Sequence, residues 1–131
     1  MRVAIAYLSM FLASGSSAQR PEPPSVKHII CSAYATTMAT VMYSSKLPDK
    51  AENMGKFAET HAAIAIALDE LQGLPAWGTR DLISQLTTAF QFDAATLSGA
   101  LALGKKHNDF CAALAHRIPE IQREIAARKA R

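Results

Sequence analysis

The sequence predicts an all-α fold: a small bundle of about five helices, three long and two short, closed by one disulfide and preceded by a signal peptide. Three observations carry this. Apolar residues recur three and four positions apart, and no segment alternates with period two, so helices are indicated and strands are not. Alanine, the strongest helix former, is the commonest residue at 25 of 131. Two cysteines follow an export-type N-terminus, and an even count in an oxidising compartment points to a bond between them.

The N-terminal segment has three parts. Arg2 supplies a positive start, Val3 to Ala13 form an uncharged apolar run, and Ser16 and Ala18 place small residues where a signal peptidase cuts. The run is well short of the roughly 20 apolar residues that cross a bilayer. No small-residue lipobox precedes either cysteine. Cleavage after Ala18 leaves 113 residues with a net charge of +2, and the chain is expected to be exported, periplasmic in a Gram-negative source or otherwise secreted. Residues 19–24, with Pro21, Pro23 and Pro24, read as a Pro-rich flexible leader, and residues 25–131 as one all-α domain without a transmembrane segment.

Ser25 is the expected cap of a first helix that reaches Ser45, with Cys31, Tyr34, Met38 and Val41 along one face. Lys46-Leu47-Pro48 interrupts it. Asp49 and Glu52 resemble a capping box for a second helix to about Gln72, whose stripe is Met54, Phe57, His61, Ile64, Leu68 and Leu71. Gly73, Pro75 and Gly78 form the next turn, with Trp77 inside it. Thr79 opens a third helix carrying Leu82, Ile83, Leu86 and Phe90. From Asp93 onward Leu97 and Leu101 continue the apolar face to Gly104. Asn108 then caps a last helix carrying Cys111, Leu114, Ile118, Ile121 and Ile125, with a kink or restart at Pro119.

The pairing Cys31–Cys111 decides the helix count. One straight helix over residues 79–103 would leave the cysteines roughly 20 Å or more apart at about 1.5 Å per residue. A disulfide needs Cα atoms within about 7 Å. A break near Gln91-Phe92-Asp93, with Asp93 as the second cap, removes the conflict. The bond closes an 80-residue loop, for which chain entropy gives about 4.5 kcal/mol.

Several chemistries are missing. The sequence has no haem-attachment Cys-x-x-Cys-His, no facing Glu-x-x-His pairs, no His-Glu-x-x-His, no nucleophile elbow and no Gly-rich phosphate loop. No enzyme, cofactor or resident metal is therefore expected. His61 is the polar member of an apolar stripe, which suits a buried, hydrogen-bonded ring better than a ligand or a pH-sensitive switch. Met38, Met42 and Met54 beside it would suit a soft ion such as Cu(I), but methionine is an ordinary filler of bundle cores. His107 and His116 are expected at solvated positions beside Lys105, Lys106 and Arg117. Arg123, Arg128, Lys129 and Arg131 complement the end of the last helix; without interleaved aromatics they do not make a nucleic-acid surface.

These observations lead to an exported helical binding or adaptor protein engaging another envelope or extracellular protein, in a chaperone-like, inhibitor or immunity role. Trp77 is the aromatic candidate for its contact surface. In outline (signal peptide, small helical domain, single disulfide) the chain is similar to periplasmic acid-stress chaperones, without a shared motif. The alternative is a carrier of a small hydrophobic ligand or soft metal near Met38, Met54 and His61. A cavity beside those side chains favours the carrier, and an exposed apolar patch around Trp77 favours the protein partner.

Overall fold

The computed structural model describes residues 22–131; the segment read above as a signal peptide, and the first residues of the expected leader, lie outside them. Five helices follow one another: α1 (Pro24–Ser44), α2 (Pro48–Glu70), α3 (Ala76–Asp93), α4 (Leu97–His116) and α5 (Ile118–Lys129). No strand occurs among the described residues. Short turns join α1 to α4, so the four run up, down, up and down, and α5 lies across the end where α2 and α4 finish.

α1 is the centre of the bundle. Its first half is buried on nearly every side, from Ser25 and Val26 through Ala35 and Thr37, because α2, α3 and α4 all pack on it. Burial of the Ser32 and Thr37 hydroxyls costs little because both are bonded: Ser32 donates to the Ala58 carbonyl at 2.8 Å and Thr37 to the Ala33 carbonyl at 2.8 Å. Ala33 and Ala65 have no exposed surface, and small side chains there let α1 and α2 approach closely. The main apolar cluster joins Cys31, Tyr34, Ile64, Leu68, Leu103 and Leu114, with Ile121 and Ile125 of α5 closing it below.

The disulfide is formed as expected, with Cα atoms 5.5 Å apart. The chain does turn back after α3, which brings Cys111, near the C-terminal end of α4, beside Cys31, near the N-terminal end of α1. Besides the start of α3, at Ala76 rather than Thr79, the boundaries differ from the sequence expectation in four places. Pro23, not Ser25, occupies the cap of α1, and Ser25 is buried within the helix. Leu47 precedes α2 without any side-chain cap bond, so Asp49 and Glu52 form no capping box. The cap of α4 is Thr96, whose side chain accepts from the Gly99 amide at 3.0 Å, whereas Asp93 is the last residue of α3. A side chain at position 99 would overlap the Asp93 carbonyl, so the tight α3–α4 turn requires this glycine.

The fourth difference is larger. Gly104 and Asn108 do not end a helix; α4 runs through both as one helix of 20 residues. The restart falls at Pro119 instead, in the first turn of α5, where its missing amide costs nothing. The helix lengths are thus 21, 23, 18, 20 and 12 residues, four long and one short.

Candidate functional site

Two histidines meet at the α1–α2 interface. The Nδ1 of His28 lies 3.0 Å from the Nδ1 of His61, and both side chains are buried. The pairing follows from the antiparallel register that also sets Ser32 against Ala58. Burial, then the neighbouring His61 and then the Arg117 charge pull the pKa of His28 down to about 4. Burial likewise lowers that of His61. Both rings are therefore neutral near pH 7. One must donate its Nδ1–H and the other accept at a bare Nδ1, so their two Nε2 atoms carry opposite roles, one N–H and one lone pair.

Each ring borders a different cleft. His61 lies in the wall of an apolar cleft of about 330 Å³, together with Ala35, Met54, Phe57 and the Cys31–Cys111 disulfide. Exposed Asn108 and His116 edge it. His28 borders a smaller cleft of about 260 Å³ at the end of the bundle, with Lys27, Arg117, Arg128, Glu22 and Glu124 around it. Since each Nδ1 is engaged by the partner ring, Nε2 is the nitrogen each histidine has left for its own cleft.

The predicted site residues do not all assemble. Met54 and His61 share the apolar cleft beside the disulfide. Met38 lies apart, in a shallow groove between α1 and α4 with Tyr34, Leu101 and Gly104. The soft-metal set of Met38, Met54 and His61 is therefore not brought together. Among the described residues no group of three or more His, Cys, Asp or Glu could hold a metal ion. Trp77 sits in the first turn of α3, not in the preceding loop, and is 73% exposed beside half-exposed Leu74.

His107 corrects an expectation. It is buried, with its ring centroid 5.1 Å from that of Phe90 and 5.8 Å from that of Tyr34, and its Nε2 has no partner. Lys105 and Lys106 are solvated, but the ring belongs to the inward stripe Ala100, Leu103, His107, Cys111 and Leu114. This stripe also overturns the apolar face predicted from Leu97 and Leu101, which are 77% and 65% exposed on the outward side of α4. Phe92, just before the turn, is 75% exposed. No described helix is long and apolar enough to cross a membrane.

His28 was not singled out by the sequence reading. Its signal is present: it lies one turn before Cys31 on the buried side of the same helix. Comparison with protein-family models, curated proteins and solved structures finds no match to this chain.

Proposed function

We propose that this chain is an exported helical binding protein that engages another envelope or extracellular protein through the outward face of α4. The observation that carries this is the solvent-facing pair Leu97 and Leu101, one turn apart, with Phe92 beside the turn that leads into them. Leucines at i and i+4 with their bulk in water leave an apolar surface that a partner would bury. The α3–α4 turn that presents them is held by Thr96 and Gly99, so the surface is rigid before binding. Export rests on the grammar of residues 1–18.

A photo-crosslinking residue at position 97 or 101, carried by the full chain in its own cells, tests this. One dominant adduct in the envelope fraction is expected, and it should disappear when the unlabelled leucine of the pair is changed to Asp. Equal labelling from a control position on α5, such as Arg123, would refute a specific partner. A cross-linked dimer of the chain itself would replace the foreign partner by a second copy. Retention of the chain in the cytoplasm would refute export.

A second reading is favoured by the apolar cleft beside Met54 and His61: carriage of a small hydrophobic ligand. The two readings use opposite ends of the molecule, since the cleft lies beside Cys111 and the leucines lie at the start of α4.

A further inference from the structure

The chemistry of a ligand in the apolar cleft is set from the far side of the histidine pair. The cleft wall offers alanines, Met54, Phe57 and a disulfide, and the one deeply buried polar side chain in it is His61. A ligand there needs an apolar body and one polar atom placed against Nε2 of His61. Whether that nitrogen donates or accepts is decided by His28, because the shared Nδ1–H belongs to one ring at a time.

His28 in turn faces the charged cleft. Lys27, Arg117 and Arg128 border it with Glu22 and Glu124, and Glu120 lies 3.7 Å from Arg117; the charge that bears on the His28 ring is that of Arg117. A ring dipole beside a cation turns its bare nitrogen toward it. His28 then keeps its proton on Nδ1 and donates it to Nδ1 of His61, which leaves His61 with Nε2–H. The apolar cleft therefore presents a hydrogen-bond donor.

We infer that the cleft beside the disulfide takes a small, neutral, apolar carbonyl compound (a ketone, ester or lactone) whose oxygen accepts from His61 Nε2–H, and that the cations around His28 fix this preference through the paired rings. A carboxylate also accepts, but its charge would be buried against apolar walls beside a ring that resists protonation. The inference rests on the small-ligand reading given above as the second function.

The test uses the full mature chain at pH 7.5 and three probes of similar size. Acetophenone supplies the carbonyl, α-methylstyrene replaces that oxygen by a CH2 group, and phenylacetate supplies a charged acceptor. Acetophenone is expected to bind about three- to tenfold more tightly than α-methylstyrene, the worth of one net hydrogen bond. Nitrogen-15 spectra of the histidine rings should show Nε2 protonated in His61 and Nδ1 protonated in His28. Replacing the exposed cations in the variant Lys27→Gln, Arg117→Gln, Arg128→Gln should weaken acetophenone towards the level of α-methylstyrene, although none of the three lines the apolar cleft. Equal affinities in the wild type, a bare Nε2 on His61, tighter binding of phenylacetate or an unchanged preference in the triple variant overturns this inference and leaves the carrier reading standing. Failure of all three probes to bind overturns the carrier reading and this inference with it.

Discussion

His28 and His61 are joined Nδ1 to Nδ1 at 3.0 Å across the interface of the two longest helices, and no water-exposed edge separates them. The contact fails once both rings are protonated, because two donors and two charges are then set against each other. In the unfolded chain each histidine takes up a proton near pH 6.5. In the folded chain His28 resists until about pH 4, and His61 also titrates below its ordinary value.

The sign of the pH dependence follows. With both folded values depressed, the unfolded state binds more protons below about pH 6.5, so stability is full above that pH and is lost as acid is added. The groups facing the pair are Glu22, Lys27, Arg117, Glu124 and Arg128 on the His28 side and His116 on the His61 side. Each histidine adds a slope of up to about 1.4 kcal/mol per pH unit. The urea midpoint should hold above about pH 6.5 and fall below it. In the variant His28→Leu, His61→Leu, which removes both partners together, the fall should be shallower. A double variant as acid-sensitive as the wild type would contradict this account.

The disulfide should carry a large share of the stability of α4. This helix meets α1 through a narrow inward stripe, and Cys111 is one of its five buried residues. The variant Cys31→Ala, Cys111→Ala should unfold with a free energy lower by up to about 4.5 kcal/mol, the chain-entropy cost of releasing an 80-residue loop. Equilibrium urea unfolding checks this. A loss under about 1 kcal/mol would mean that packing alone holds α4 in place.

The helical class, the number of helices and the disulfide were legible in the sequence because each depends on local spacing or on two residues. The face of α4 was not. Leu97 and Leu101 repeat at helical spacing as well as Ala100 and Leu103 do, and bulk favoured the leucines. The buried face carries the smaller set, Ala100 and Leu103 followed by His107 and Cys111, which only tertiary packing reveals. Gly104 and Asn108 resemble a helix end, but each costs only about 1 kcal/mol within a helix, and the continuous stripe to Cys111 and Leu114 outweighs that. The histidine pair needed the α1–α2 register, the apolar cleft the placement of α4 and the charged cleft that of α5, none of which a single helix pattern contains.

The end of α2 is tied to the start of α3 by one buried side-chain bond, Thr79 Oγ1 donating to Asp69 Oδ2 at 2.7 Å. Both residues are nearly inaccessible to water, so the carboxylate cannot replace this donor cheaply. Thr79→Val keeps the shape and removes the hydroxyl. It should cost about 2 kcal/mol, within the range for a hydrogen bond to a charged group. Thr79→Ser, which keeps the donor, should cost less than half of that. Equal losses in the two variants, measured by urea unfolding, would show that the methyl group and not the bond matters.

The turns after α1 and α2 use one device with different residues. After α1 the Leu47 amide donates to the Met42 carbonyl at 2.9 Å and the Lys46 amide to the Tyr43 carbonyl at 3.1 Å. After α2 the Leu74 amide donates to Asp69 and the Gly73 amide to Glu70, both at 3.0 Å. In each pattern the chain leaves the helix through the left-handed region, at φ 61° for Lys46 and 78° for Gly73. Glycine adopts that conformation freely, whereas a residue with a Cβ gives up about 1 to 2 kcal/mol. Lys46→Gly recovers this cost but adds about 0.4 to 1 kcal/mol of freedom to the unfolded chain. The net expectation is stabilisation by about 0.5 to 1 kcal/mol, a rise of roughly 2 to 6 °C in Tm for a domain of this size. The reverse change, Gly73→Ala, meets open space around its new Cβ, so its loss should reflect conformation alone. Thermal unfolding of the two variants should therefore move Tm in opposite directions. A Lys46→Gly protein that melts below the wild type would show that the lysine side chain contributes more at this turn than its backbone costs.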